Sequence, residues 1–543
     1  MDGNIAIDAE TGFFSTSAQS FWSSEVDGAS VDQGGAAEKA PEYAQRKLYT
    51  YVEQAAVASL ASPTNRISPE NNALTQEMFG LENVSDTDFQ LHIDWVRGRD
   101  ADDEDEDEDN TTLDTRFYFG DPLHSRPVAI TYGSSATVPD VELFYGSNAG
   151  VVHAINGSTG AETFAFMPQA LLPQQASLRS NPSTTNRPYG MDLTLSSWVL
   201  DVNRDGLSSS DVGDKVYLYA GMRRGGRNYY ALDATDRTNP KMLWTIKGGE
   251  VQANGDDFSE LGQTWSRPIK TQVQLSGEDD ARDVLIFCGG YDPAQDEENT
   301  RQEDNQGRAI YIVDATDGSL VWAGGHSGLA SANANFEDMN YSFPSTPSVI
   351  DVTVDGLADS FFIADTGGQI WRFDISNGAT ADELVSGGVI ADLGVAAGDN
   401  SVSSNRRFFT SPSIALVEGP QGPELAVVIG SGFRPSPLGL LADNKIFMIR
   451  QADVFGSAMS YQKLTLDDLY DASSNVLATA SGAELNSARE LLNNASGWYV
   501  DLTIPGEKAL SAPLIANDQV IITTYAPGSD GVSCSPGAGT SRA

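Results

Sequence analysis

Thiol and imidazole are nearly missing from this chain of 543 residues, which has two cysteines and four histidines. Cys288 and Cys534 are too far apart to make a disulfide framework, and Cys288, inside the apolar run DVLIFCGG, reads as a buried core thiol. His92, His124, His153 and His326 are scattered without ligand spacing, which argues against an imidazole-built metal centre. His124, in GDPLHSRP, reads as a hydrogen-bonded structural histidine. Nor is there a Gly-rich phosphate loop or a nucleophile elbow. No apolar run approaches the ~18 residues that a membrane-spanning helix needs, so no span is expected. The opening stretch MDGNIAIDAE lacks the basic start and apolar core of an export signal. Read as the start of a whole protein it points to the cytoplasm; read as part of a longer exported chain it is silent. Positive charge is the last scarcity: 33 basic residues stand against 76 acidic ones, a net charge of −43. Such a surface repels phosphate backbones and anionic lipid, which excludes nucleic acid as a partner and suits a protein that holds divalent cations.

What is present is a folded chain, 40% hydrophobic and 9% aromatic. Its texture divides in two. Residues 1–115 carry helix-forming stretches such as VDQGGAAEKAPEYAQRKLYTYVEQAAVASL and SDTDFQLHIDWVRG, and we expect a mixed, mostly helical cap. It contains an unbroken acidic run, Asp102 to Asp109, whose self-repulsion predicts a solvated loop.

From residue 116 to 543 the pattern is β. A Gly, an alternating apolar run, an Asp or Asn and a turn recur in GVVHAINGSTG, GRNYYALDATD, GRAIYIVDATDG and GQIWRFDISNG, and more weakly in NKIFMIRQADVFG. A further short strand follows each copy, from ETFAFMP to GWYVDL. Two strands precede each, often opened by a Ser/Thr–Pro element as in HSRPVAI, WSRPIKTQV, FPSTPSVIDV, FTSPSIALV and LSAPLIA. Proline at a strand's first residue removes no ladder hydrogen bond. Units of four antiparallel strands, repeated at about 60 to 80 residues, predict an all-β fold, a β-propeller; a long β-sandwich is the alternative, but it leaves the recurring third strand unexplained. Five units look complete. The last, ALSAPLIANDQVIITTYAP, breaks off, and GNIAIDAETG at residues 3–12 resembles the repeated third strand that could close it. Helices are expected at NSARELLNNA and KLTLDDLYDA, both insertions on this frame.

One stretch suggests chemistry. In DVTVDGLADSFFIAD, side-chain oxygens recur at Asp351, Thr353, Asp355 and Asp359, Gly356 follows the third, and Leu357 falls where an EF-hand loop donates a carbonyl. Alternate residues of a tight loop can point oxygens at one hard cation, and Ca2+ needs six to eight of them. Phe362 stands where an EF-hand has its bidentate Glu, and the residues that follow read as strands rather than a helix. DVNRDGLSSSD offers a second candidate site with Asp201, Asn203, Asp205, then Ser209 or Asp211, again ahead of a strand, KVYLYAGM.

Taken together, VDGASVDQGGAAEKA, LYTYV, WVRG, GDPLHSRPVAI, LFYGSNAGVVHAINGSTGAETFAFMP and DGLADSFFIADTGGQIWRFDI resemble the C-terminal half of PilY-type (PilY/PilC) type IV pilus assembly factors, the tip-associated adhesins. The resemblance implies a modified β-propeller with quinoprotein-like blades and a calcium site on Asp351, Thr353, Asp355 and Asp359, with Thr353 where Asp or Asn is commoner. It implies a protein of the cell surface that acts with minor pilins at the pilus tip, governs extension against retraction, and attaches to host or abiotic surfaces. It also implies that this chain is a fragment of a longer exported protein. The Arg-Gly-Asp tripeptide of some members is absent, for this chain has VRGRD, so that receptor role does not carry over. Two other readings compete. DATDGSLVW also resembles the tryptophan-docking repeat of quinoprotein dehydrogenases, but the chain has no vicinal cysteine pair and both oxygen-rich loops lie between strands. A non-enzyme is therefore expected. A glycan-binding surface propeller is the third reading.

Overall fold

The computed structural model describes residues 5–8, 13–28, 30, 34–52, 57–104, 114–133, 139–183, 187–395, 399–455, 461–517, 519–528 and 539–543. Within them the chain forms two compact units, Met1–Ile246 and Lys247–Ala543.

The recurring element is a four-stranded antiparallel meander, the blade of a β-propeller. The first unit holds two blades. One runs Val128–Tyr132, Asp140–Gly146, Val152–Asn156, Glu162–Phe166; the next runs Ser196–Leu200, Lys215–Gly221, Tyr229–Asp233, Lys241–Ile246. The second unit holds three. Blade three is Ile269–Val273, Arg282–Cys288, Ala309–Asp314, Leu320–His326; blade four is Ser348–Ile350, Ser360–Ala364, Gln369–Ile375, Val385–Asp392. Blade five is Ser413–Gly419, Gly422–Gly430, Lys445–Gln451, Gly497–Asp501. Every repeated run of the sequence is a third strand, and every run after it a fourth.

Alternation decides what each strand buries. Along Ser360–Ala364, Phe361 and Ile363 join a core shared with Ile286 and Ile312 of blade three. Phe362 and Ala364 join another, shared with Val427 and Phe447 of blade five. Successive side chains leave opposite faces of a strand, so a central strand covered on both faces is apolar throughout. The third strand Gln369–Ile375 is buried at all seven positions. First strands differ, being half-exposed edges, as in Ser413–Gly419. The Pro residues stand at their starts, where an unpaired N–H would otherwise face solvent.

The opposite edge of four blades is covered by an added short strand. Leu48–Tyr49 pairs parallel with Glu162–Phe166, and Ala58–Ser59 antiparallel with Lys241–Ile246. Ala334–Phe336 and Tyr470–Asp471 pair parallel with the last strands of blades three and five. The first two come from the region expected to be mostly helical. Its long helix is Asp86–Arg97, begun by the Ser85 side chain, which accepts the Asp88 amide, and ended by left-handed Gly98. Of VDQGGAAEKA, residues 31–33 lie outside the described residues, and the rest yields only the turn of helix Gly35–Glu38, because Pro41 follows and the chain beyond it is drawn onto blade edges. Leu48, Leu60, Ile93 and Trp95 still pack into one core with Phe144 and Leu218 of the two adjacent blades.

Among the insertions, NSARELLNNA lies in the helix Gly482–Asn494, whereas KLTLDDLYDA makes a 3-10 turn, Leu466–Asp468, and the added strand Tyr470–Asp471. At the chain's end, Lys508–Ala509, Thr524–Pro527 and Gly539–Arg542 form one sheet, and Leu514–Ala516 with Gln519–Ile521 another. Gly539–Arg542 is thus the third strand of the sheet begun by Lys508–Ala509. Of residues 3–12 only 5–8 are described, and there Ile7 bridges Phe14. The acidic run is described only through Glu104, with Asp102 bound to Arg179 at 2.7 Å. Cys534 lies outside the described residues, and Cys288 is a buried free thiol pushed up to about 12 by burial.

Candidate metal site

Both oxygen-rich loops join the first strand of a blade to the second. Asp351–Asp359 leads from Ser348–Ile350 into Ser360–Ala364, and the loop from Asp201 leads from Ser196–Leu200 into Lys215–Gly221. Their local geometry is the same. Asp351 accepts the amides of Asp355 (3.2 Å) and Gly356 (2.9 Å), and Asp201 those of Asp205 (3.3 Å) and Gly206 (2.8 Å). Asp355 accepts the Leu357 amide at 2.9 Å, as Asp205 accepts that of Leu207 at 2.8 Å. The residue before each Asp-Gly is left-handed, Val354 at φ 57° and Arg204 at φ 58°, and each Gly turns the chain at φ 91° and 79°.

Asp359 closes the first loop. Its Oδ2 accepts the amides of Val352 (2.6 Å) and Thr353 (2.8 Å) and the Thr353 hydroxyl (3.1 Å). In the second loop that place is held by neither Ser209 nor Asp211. Asp214, 1% exposed, accepts the amides of Val202 and Ser209, both at 2.9 Å. Ser209 therefore meets the loop through its backbone, and Asp211 sits exposed on the turn Ser210–Val212. The signal for Asp214 was in the sequence. It immediately precedes the second strand as Asp359 does, and counting back from the strand finds it where counting forward from Asp201 does not. Asn203 remains at the second position, its amide group bonded to Asp205 at 3.1 Å.

Each loop is tied to the first strand of the preceding blade. Ala358 donates to the Gln272 carbonyl (2.9 Å), and Ser208 to that of Thr131 (2.9 Å). Whatever fixes either loop therefore also fixes a seam between two blades.

The first loop's donors are three carboxylates, a hydroxyl and main-chain carbonyls, all hard oxygens of the class that suits Ca2+ and not a soft metal. Their carboxylates are aimed by backbone amides. Among the described residues no three His, Cys, Asp or Glu side chains converge as a ready-made metal group.

The histidines lie elsewhere. His124 Nδ1 is 2.7 Å from the Asp192 carboxylate, which also meets Arg223. His153 joins Ser147 (3.0 Å) to Glu162 (2.7 Å), a Ser–His–Glu array whose three side chains are buried without solvent access. Burial keeps His153 below its ordinary value, and Glu162 is bound by Arg46 at 2.8 Å. That array is a structural clamp: Arg46 also donates to the carbonyls of Val96 and Arg97 at the end of the cap helix.

Repeated four-stranded antiparallel blades, two of them with an oxygen-rich loop between first and second strands, define a β-propeller. Residues 113–403, more than half of the chain, match the family model described as PilY1 beta-propeller domain, and the chain belongs to that family. Similar curated proteins include a Type IV pilus biogenesis factor PilY1 homolog of Xylella fastidiosa (strain Temecula1), 26% identical over 73% of this chain and 25% of that protein. Another is Type IV pilus biogenesis factor PilY1 of Pseudomonas aeruginosa (strain UCBPP-PA14), 26% identical over 56% of this chain and 24% of that protein. The chain thus spans about a quarter of the length of these relatives. A solved structure, the Pseudomonas aeruginosa PilY1 C-terminal domain, is 20% identical with a TM-score of 0.48, covering 71% of this chain and 76% of that one.

Proposed function

We propose that this chain is the calcium-responsive propeller of a type IV pilus biogenesis factor, acting at the pilus tip or outer surface with minor pilins. In this reading it biases pilus extension against retraction and supports attachment to host or abiotic surfaces. The names of the relatives support the pilus role and describe biogenesis factors rather than enzymes, so binding and assembly are proposed, not catalysis. The exposed acidic surface suits an extracellular setting, and among the described residues no helix is long and apolar enough to cross a membrane.

One observation carries the calcium reading: the loop Asp351–Asp359 strings hard oxygens along nine residues and is bonded through Ala358 to the blade before it. Asp351, Thr353, Asp355 and Asp359 would hold the ion by side chains and Leu357 by its carbonyl. Calcium removes the repulsion among three carboxylates and so fixes the loop and its seam. With a neutral Thr353 and no bidentate Glu, a dissociation constant of roughly micromolar to millimolar is expected. Isothermal titration tests it: wild type takes up calcium and Asp355→Ala does not, with the fold retained. Equal uptake by both overturns the assignment.

A further inference from the structure

Blade five and the segments around it enclose a cavity of about 130 Å3. It has room for about four waters at ~30 Å3 each. Its lining is unusual for so acidic a chain, because it holds two buried cations. Arg407 is 3% exposed and Lys508 is 2% exposed, and both line the cavity. Among the described residues neither has a carboxylate within ion-pair distance. Lys508 Nζ donates to the carbonyls of Pro437 and Gly439, both at 2.7 Å, leaving one of its three N–H donors over. Arg407 donates to the carbonyls of Glu298 and Gln295, its guanidinium lies 4.1 Å from the centre of the Phe433 ring, and its Nε has no partner. Asn405, buried beside them, also leaves its side-chain oxygen unbonded.

Two acidic residues line the same space, and with buried Asp304 their charges favour the Arg407 cation from beyond ion-pair distance. Asp296 is exposed and accepts the Tyr291 hydroxyl at 2.7 Å, and Glu298 offers Arg407 its main-chain carbonyl, not its carboxylate. Burial holds the Lys508 ammonium down at about 8, as expected of a charge met only by dipoles. Carbonyl dipoles offset part of the desolvation of a buried cation, and an anion placed between two of them offsets the rest. The rest of the wall mixes polar Asn299, Ser436 and Asn444 with apolar side chains, among them Phe433 within and Leu441, 61% exposed, at the mouth.

We propose that this cavity binds a small organic carboxylate, its anionic head between Arg407 and Lys508 and its apolar body against Phe433 and Leu441. The volume admits one carboxylate and one short side chain, so the ligand is a free organic acid or the C-terminal residue of a peptide. The proposal is independent of the calcium reading, since none of these residues belongs to either oxygen-rich loop.

Isothermal titration of the full chain tests it with propionate, propionamide, a short peptide with a free C-terminus, and the same peptide amidated. Propionate should bind and propionamide should not. Binding of the peptide only when its carboxylate is free names a peptide terminus as the source, and binding of propionate without the peptide names a free acid. Lys508→Met should weaken binding about 10-fold or more, the loss expected for one charge-assisted hydrogen bond. Leu441→Glu, an exposed change that leaves the interior intact, should weaken it by placing a like charge at the mouth, and it decides the matter should Lys508→Met fail to fold. No binding of any carboxylate, equal binding of propionate and propionamide, or affinity unchanged in Leu441→Glu overturns the proposal.

Discussion

The carboxylate of Asp359 accepts the amide of Val352 at 2.6 Å, closing the loop on the strand it left seven residues earlier. Asp214 does the same for Val202 at 2.9 Å in the second loop, across a longer insertion. Asp214→Ala should free the half-buried amides of Val202 and Ser209, at a local cost of about 1 kcal/mol. Hydrogen exchange should then quicken over residues 201–209. Asp211→Ala should leave exchange unchanged, and equal effects from the two would assign the closure wrongly.

Substituting Asp355 with Lys should place an ammonium where the proposed cation sits and relieve the same repulsion. In a piliated cell carrying this protein in its natural context, Asp355→Ala should alter surface pili and twitching, and Asp355→Lys should partly restore them. Restoration by Asp355→Ala as well would separate the phenotype from the charge.

Val354 is 84% exposed and left-handed at φ 57°, a conformation that suits glycine and strains a β-branched residue. Val354→Gly removes no packing and should stabilise the calcium-free loop by about 1 kcal/mol at most, after the greater chain entropy of glycine is counted. Chemical denaturation in a chelator reads this. A loss of stability would mean that Val354 packs against something.

Arg46 and Glu162 are both buried, and Glu162 is held at about 2: burial pushes it up, but Arg46 and His153 outweigh that. Arg46→Met should cost about 3–5 kcal/mol, since it strands a buried carboxylate. Adding Glu162→Leu should recover part of the loss, and urea unfolding of the single and double variants measures it. Additive losses would show that the two residues act separately.

Asp365 is buried, its oxygens accepting the Gln369 amide and the Trp371 indole N–H, both at 2.9 Å, and burial raises its carboxyl from 3.8 to about 7. The folded chain keeps this proton to about pH 7, while the unfolded chain releases it near pH 4. Its contribution to stability is therefore complete below about pH 4 and lost as pH rises to about 7, on the order of 4 kcal/mol at most. Asp365→Asn should flatten the fall in stability between about pH 4 and pH 7. An identical slope in both proteins would show that Asp365 does not titrate there.

The meander was legible in the sequence because its strands pair with their neighbours along the chain. Alternation, Ser/Thr–Pro starts and Gly–Asp turns are local signals, and they suffice to mark all the repeated third strands from Val152–Asn156 to Lys445–Gln451. The first oxygen-rich loop was legible for the same reason, its four side chains lying within nine residues. Three things were not. The short strands Leu48–Tyr49 and Ala58–Ser59 carry helix-forming neighbours and become strands only by pairing with blade edges more than a hundred residues away. Asp214 was missed because its signal lies in counting back from the strand that starts at Lys215, a boundary that the sheet sets and the count from Asp201 does not reach. The cavity between Arg407 and Lys508 joins side chains about a hundred residues apart, and their burial without a carboxylate partner exists only once the blades have packed. Local sequence fixes periodicity and turns; which distant groups share one enclosed space is decided by packing alone.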